Sequence, residues 1–214
     1  MSIDKRNFDT AAATWDENPG RIKLAADLAA AISGHVPLNT AMDVLDFGCG
    51  TGLVTLRLAS LVGSMTGVDS SRGMIEVLAA KIAEQNLGNV RLLHLDLDQG
   101  DALPAAAYDV IVSNMTLHHI QRVEPLLDRF YGALAASGYL CLGDLDSDDG
   151  QFHTDNQGVF HFGFERRELR RSLMKAGFTD IEDTTAAEVV RTARNGALRR
   201  FSVFLMIGRK MKTA

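Results

Sequence analysis

Asp43-Val44-Leu45-Asp46-Phe47-Gly48-Cys49-Gly50-Thr51-Gly52 joins a short apolar run to a carboxylate and then to glycines at every second position. Leu53 to Leu61 follows with helical character. The pattern is a strand, a tight turn and a helix start. Glycines let the backbone come close to a ligand, and a helix N-terminus adds partial positive charge. A Gly-x-Gly-x-Gly turn is a weak signal by itself, so its meaning depends on what surrounds it.

Downstream, Ser64 to Asp69 reads as a second strand and Ser71 to Gln85 as a helix with Met74, Ile75, Leu78, Ala79 and Ile82 inward. Val90 to Leu95 is a third strand, ended by Asp96. Tyr108 to Asn114 is a fourth, Val123 to Ala135 a helix, and Tyr139 to Gly143 a fifth strand. Short apolar strands separated by helices predict a parallel sheet covered on both faces. Beyond Gly143, the stretch Asp144 to Gly163 is rich in Asp, Gly, His and Phe and shows no period. It is too long for a routine connection. A helix over Glu165 to Ala176 precedes two strands, Phe178 to Val190 and Arg200 to Gly208, expected to pair antiparallel at the sheet edge. Upstream, two helices are expected, over residues 4 to 15 and from Arg21 to Ser33. The second carries Ile22, Leu24, Ala25, Leu28, Ala29 and Ile32 inward, and Asp16, Asn18, Pro19 and Gly20 form a break between the two. Trp15, the only tryptophan, suits either plain packing or a lid over a ligand.

Composition narrows the class. At 214 residues, a single domain with its own core is expected. A net charge of −5 gives no overall footprint for nucleic acid. The cluster Arg166, Arg167, Arg170, Arg171 and Lys175 reads as a solvated helix face. Cys49 and Cys141 lack metal-ligand spacing and read as buried reduced thiols, which with the absence of a signal-like segment gives a cytoplasmic expectation. No apolar stretch is long enough to span a bilayer.

The strand ends carry the chemistry. Ligands of open parallel sheets bind at the C-terminal ends of the strands. The first five strands here end at Asp46, Asp69, Asp96, Asn114 and Asp144, which would line one crevice. Asp69, at the end of the second strand, stands where a carboxylate accepts from two ribose hydroxyls. Asp46 puts negative charge where a dinucleotide places its pyrophosphate. The site therefore suits a nucleoside ligand with a positive group better than one with phosphates.

The ordered set Val-Leu-Asp-Phe-Gly-Cys-Gly-Thr-Gly, Gly-Val-Asp-Ser-Ser, His-Leu-Asp-Leu and Tyr-Asp-Val-Ile-Val-Ser-Asn resembles the class I S-adenosylmethionine-dependent methyltransferases over about residues 41–145. Phe-Asp-x-x-Ala-x-x-Trp-Asp at residues 8–16 and Leu-His-His-Ile at 117–120 are similar to the small-molecule branch, including quinone-biosynthesis-type enzymes. The resemblance implies a Rossmann-like α/β doubly wound sheet of about seven strands in the order 3-2-1-4-5-7-6, with strand 7 antiparallel. It implies S-adenosyl-L-methionine as cofactor. Asp46 and the backbone of Gly48, Cys49, Gly50 and Gly52 would hold the methionine part, and Asp69 the ribose. Ser70 and Met74 would lie along the ribose and adenine, Asp96 would take the adenine amino group, and Leu97 would pack on the ring. Asn114 and Met115 would sit beside the sulfonium. Met74 and Leu97 are equally suited to core packing.

The acceptor side is less defined. His118 and His119 follow the fourth strand and are candidate bases, as is His161, if the acceptor must lose a proton. Trp15, His153, Phe160 and His161 are candidate lining for the acceptor. With Phe152, Phe162 and Phe164, the histidines of the 144–163 insertion form either a roof over the active site or a satellite core. The N-terminal 1–35 region is the expected helical lid. Asp144, His153 and His161 match no recognised metal spacing, so no metal is expected. Ser113-Asn114-Met115-Thr116 lacks the Asn-Pro-Pro-Tyr run of amino-methylating nucleic-acid enzymes, which leaves a small molecule as acceptor and no nucleic acid as partner. Two alternatives stand beside methyl transfer. One is a binding module that holds the nucleoside without turnover. The other is an NAD-dependent oxidoreductase, which would need glycine where Leu53 stands.

Overall fold

The computed structural model describes residues 6–104 and 108–211. Seven strands form one sheet: β1 (Asp43–Phe47), β2 (Ser64–Asp69), β3 (Val90–His94), β4 (Tyr108–Asn114), β5 (Leu134–Leu145), β6 (Thr179–Thr192) and β7 (Leu198–Arg209). Their order is β3-β2-β1-β4-β5-β7-β6. The pairs among β1 to β5 are parallel, and β7 runs antiparallel to both β5 and β6. This Rossmann-like topology is the expected one. The order reverses beside β1, so the ends of β1 and β4 open a crevice between them.

The sheet is buried on both faces, which is why its central strands are apolar almost throughout. On one face, α4 (Val123–Ala133) and α5 (Arg166–Lys175) bring Leu126, Leu127, Phe130, Leu169 and Leu173 onto Leu45, Ile111, Leu140 and Phe204. On the other, α1 (Pro19–His35) and the short α2 (Thr55–Leu58) pack Ala25, Ala29, Ile32 and Leu58 onto Val44, Met65, Val110 and Cys141. α3 (Arg72–Glu84) buries Met74 and Leu78 and is capped by Ser71, whose hydroxyl accepts from the Met74 N–H. Cys49 and Cys141 are buried free thiols. The basic cluster on α5 is partly ion-paired, while Arg167, Arg171 and Lys175 stay exposed. Arg166 pairs with Asp146 and Asp183, Arg170 with Asp183, and Arg171 with Glu168.

Five expectations need correction. The first N-terminal element, among the described residues, is a 3₁₀ segment over Asp9–Glu17, not an α-helix; the part of that expected helix before residue 6 lies outside the described residues. Tertiary anchors hold it in place: Asp9 accepts from the Ser71 hydroxyl and the Gly73 N–H, and Asp16 pairs with Lys81. α1 starts two residues earlier than its apolar period, because Asn18 caps it and Pro19 takes the first turn, where a missing N–H costs nothing. Ile22 is exposed, not inward. The helix after the glycine turn has only four residues before it tightens into a 3₁₀ turn at Ala59–Leu61, so it contributes little dipole. β5 begins at Leu134, earlier than its apolar core suggests. No helix among the described residues is long and apolar enough to cross a membrane.

Candidate active site

A cavity of about 900 Å³ opens at the C-terminal ends of β1, β2 and β4. Its floor is the glycine turn. Gly48 has φ +74°, and a Cβ there would meet the Thr116 hydroxyl at 2.2 Å; Gly52 has φ +85°, and its Cβ would meet Leu78 at 2.2 Å. No other residue fits either position without strain. The turn's amides are already committed. Gly48 and Cys49 N–H donate to the Val68 carbonyl, Gly50 N–H to Asp69 Oδ2, and Gly52 N–H to the Cys49 carbonyl. The turn therefore offers a ligand mainly its shape and close approach, with these four amides already used.

Two carboxylates stand beside that floor. Asp46 is buried and accepts from the Thr55 hydroxyl at 2.6 Å. Loss of water raises its pKa from 3.8 to about 7, against the lowering effect of Thr55. Asp69 Oδ2 accepts from Gly50 N–H at 2.8 Å and Oδ1 from Ser71 N–H at 2.9 Å, with the Ser70 N–H also bearing on the carboxylate. Each oxygen keeps a lone pair for a ligand. Burial also pushes the Asp69 pKa up. Ser70, Met74, Asp96 and Leu97 complete this wall. Opposite them, the Asn114 side-chain amide lines the cavity with both its nitrogen and its oxygen buried and unpartnered, a state that costs free energy unless a ligand satisfies it. Met115 follows at φ +53°, held by its N–H to the Gly143 carbonyl.

The other end of the cavity is built from distant segments. Phe8 packs edge-on to His119 at 5.1 Å and to Trp15 at 5.9 Å. The Arg21 guanidinium lies 3.7 Å over the Trp15 ring, and Arg191 sits 4.8 Å over Phe152. Arg6, Arg21 and Arg191 all line the cavity. Among the described residues none of the three has a carboxylate ion-pair partner, and burial followed by mutual repulsion lowers the pKa of Arg21 and Arg191. His118 is fully buried, with Nδ1 2.7 Å from Asp144 Oδ1. His119 Nδ1 lies 2.7 Å from the Gly158 carbonyl. The rings of His118, His119 and His153 have centroids 4.2, 5.1 and 5.7 Å apart. Burial lowers the pKa of His119 from 6.5 to about 4 and that of His153 to about 3, so both rings are neutral near pH 7.

Residues 44–138 match the family model of a methyltransferase domain. The chain is 32% identical over 158 residues, 67% of its length, to an uncharacterized methyltransferase of Schizosaccharomyces pombe. It is 27% identical over 157 residues, 72% of its length, to a malonyl-[acyl-carrier protein] O-methyltransferase of Bacillus anthracis. In each case it covers 56% of the relative. The YcgJ protein of Bacillus subtilis shares the fold, with a TM-score of 0.73 at 17% identity over 88% of this chain and 99% of that one. Residues 44–138 thus belong to the methyltransferase-domain family, and the chain has the Rossmann-like fold of S-adenosylmethionine-dependent methyltransferases.

In this chain the cavity gathers Asp46, Gly48, Cys49, Gly50, Asp69, Ser70, Met74, Asp96, Leu97, Asn114 and Met115 along one wall. Gly52 is not among the lining residues; its part is to let the turn pack on Leu78. Trp15, His118, His119, His153 and Phe160 line the other end. His161 does not. Its Nε2 is 2.9 Å from the Ile120 carbonyl and its ring packs on Phe164. The adjacent Phe160 and His161 N–H groups both donate to the His118 carbonyl, which fixes this segment and leaves only Phe160 facing inward. Asp144 sits behind His118 and does not line the crevice, contrary to its expected place among the strand ends. Within the insertion, Phe152 belongs to a small core with Leu28, Leu145, Phe201 and Val203, while His153 and Phe160 face the cavity. His153 meets His118 and His119 instead of Asp144 and His161. Arg6, Arg21, Arg191 and Thr55 went unnoticed in the sequence. Only the short spacing from Asp46 to Thr55 carried a hint, through the turn of a strand–turn–helix.

Proposed function

We propose that this protein transfers the sulfonium methyl group of S-adenosylmethionine to a small-molecule acceptor that carries an anionic group, such as a carboxylate. The observation that carries the acceptor class is the set of three half-buried guanidiniums, Arg6, Arg21 and Arg191, without carboxylate ion-pair partners among the described residues at one end of the cavity. Buried unpaired charge is unfavourable, and a guanidinium is matched to carboxylates in bidentate geometry. A relative named for acting on a malonyl group, itself an acid, agrees with this class.

In this reading Asp69 takes the ribose hydroxyls on its remaining lone pairs, and Asp96 takes the adenine amino group between Met74 and Leu97. Asp46 faces the ammonium of the methionine part, and the unpartnered Asn114 amide bonds its polar end. The methyl carbon passes to an acceptor oxygen while the carbon–sulfur electron pair stays on sulfur. Holding the two in line supplies most of the acceleration. A carboxylate is already ionised and needs no base, so His118 and His119 line the acceptor's path rather than take a proton from it. The 1–35 region serves as the lid and residues 144–163 close the site from the far side, within a single domain.

Thermal shift with S-adenosylmethionine, S-adenosylhomocysteine and NAD tests the donor, with stabilisation expected from the first two. Stabilisation by NAD alone would overturn the reading. Methyl transfer is then measured on mono- and dicarboxylates beside phenols, thiols and amines. Acids are the expected acceptors; donor binding with no turnover on any of these compounds would instead favour a binding module.

A further inference from the structure

We propose that His118, His119 and His153 form a binding site for a divalent first-row transition ion of the zinc type, with one position open to the cavity. Each histidine offers one ring nitrogen, and these atoms all lie within 4.8 Å of one another. A four-coordinate ion with bonds of about 2.0–2.1 Å sets its ligand atoms roughly 3.3 Å apart, so small ring rotations close the set.

The hydrogen bonds have already selected the ligating nitrogens. The Gly158 carbonyl can only accept, so His119 Nδ1 carries the proton and Nε2 holds a lone pair. Asp144 accepts from the His118 backbone N–H and from Leu145 N–H, and its Oδ1 faces His118 Nδ1 at 2.7 Å. His118 is thereby held in the same tautomer. A carboxylate or carbonyl behind the ligating ring is the arrangement by which proteins orient histidines toward a metal. His153 Nε2 is buried and has no hydrogen-bond partner among the described residues. On its other side Arg6 Nη1 stands 3.4 Å from Nδ1, at the outer limit of a hydrogen bond, and so constrains the ring weakly. Three imidazoles with no carboxylate among them suit zinc, cobalt, nickel or copper and not magnesium or calcium.

His118 and His119 come from the turn after β4, and His153 from the 144–163 stretch. An ion bound by all three clips that stretch to the end of the sheet. Its open position and charge would add to Arg6, Arg21 and Arg191 in drawing an anion. That last link rests on the proposed acceptor class, whereas the site itself does not.

The test uses untagged full-length protein, treated with chelator and titrated with Co²⁺. One equivalent is expected to give visible d–d absorption of a four- or five-coordinate ion, displaced by Zn²⁺. His119→Ala and His153→Ala are each expected to weaken binding by more than the roughly 10–100-fold expected of Asp144→Asn. His35→Ala, an exposed histidine at the end of α1, is expected to change nothing. The donor-induced thermal shift, read on the same samples, reports folding and tests the methyl-donor reading separately. Absence of a one-equivalent band, or a band that survives both His119→Ala and His153→Ala in folded protein, would overturn the proposal.

Discussion

The two ends of the cavity are built differently. The donor end comes from consecutive strand–turn units: Asp46 to Gly52, Asp69 to Met74, Asp96 to Leu97, and Asn114 to Met115. Each unit starts at or just past the C-terminal end of a strand, so the sheet places it. The acceptor end joins Arg6 and Phe8 from the N-terminal segment, Arg21 from α1, His118 and His119 from a 3₁₀ turn, His153 and Phe160 from the insertion, and Arg191 from the far end of β6. These groups meet only because β6 and β7 extend past the sheet and α1 packs against β6. A site assembled from short local units has little freedom to vary, whereas one assembled from loops can change its ligand without disturbing the fold.

Substitutions at the two ends are expected to separate donor binding from acceptor binding. The largest effect is expected at Asp69. Asp69→Ala removes two charge-assisted bonds to the ribose, about 1.5–3 kcal/mol each, so calorimetry should record a loss of about 10²–10⁴ in donor affinity. Gly52→Ala attacks the same end through the backbone. With φ +85° and a contact at 2.2 Å, strain and overpacking together should lower unfolding stability by about 2–4 kcal/mol in denaturant titration. At the other end, Arg191→Ala should raise the KM for an acidic acceptor by about 10- to 100-fold and leave donor affinity unchanged. A matched loss of donor affinity would erase the division between the ends.

The Asp46 prediction is one of pH. Its native pKa of about 7 lies above the unfolded 3.8, so the native state binds the extra proton between those values. Stability contributed by this group is therefore lost as pH rises from about 4 to about 7, the reverse of an ion-paired aspartate. Asp46→Asn should melt higher than the parent near pH 8 and differ little near pH 4. Donor binding runs the other way. The ammonium needs the ionised carboxylate, so donor affinity of the parent should rise about tenfold from pH 6 to pH 8, and the rise should vanish in Asp46→Asn. The smallest effect is expected at Phe8→Ala, where loss of one edge-on contact with His119, about 0.5–1.5 kcal/mol, should lower kcat/KM severalfold at most.

The strands, the antiparallel closing pair and the carboxylates at the first three strand ends could be read from the chain alone, because the strand–turn–carboxylate units are contiguous and each announces itself by a short apolar run; the strand order is implied only by the resemblance to class I methyltransferases. Asp144 shows the limit of that reasoning. It ends a strand as Asp46 and Asp69 do, yet β5 pairs with β7 through Asp144 and Leu145, which carries the carboxylate behind His118 and away from the crevice. His161 shows another. Its neighbour Phe160 faces the cavity, but backbone bonds to His118 fix this segment and leave the imidazole on the Ile120 carbonyl.

The sequence by itself determined the sheet and the donor floor, since glycines forced to positive φ and a carboxylate after an apolar strand are local constraints that hold wherever the segment folds. Only the tertiary structure decided that His153 joins His118 and His119, that Asp144 and Gly158 turn their lone pairs inward, and that three arginines gather at one end with no ion-pair partner among the described residues. Those facts are distances between segments far apart in the chain. No local propensity encodes them; the packing of α1, β6 and the insertion onto the sheet does.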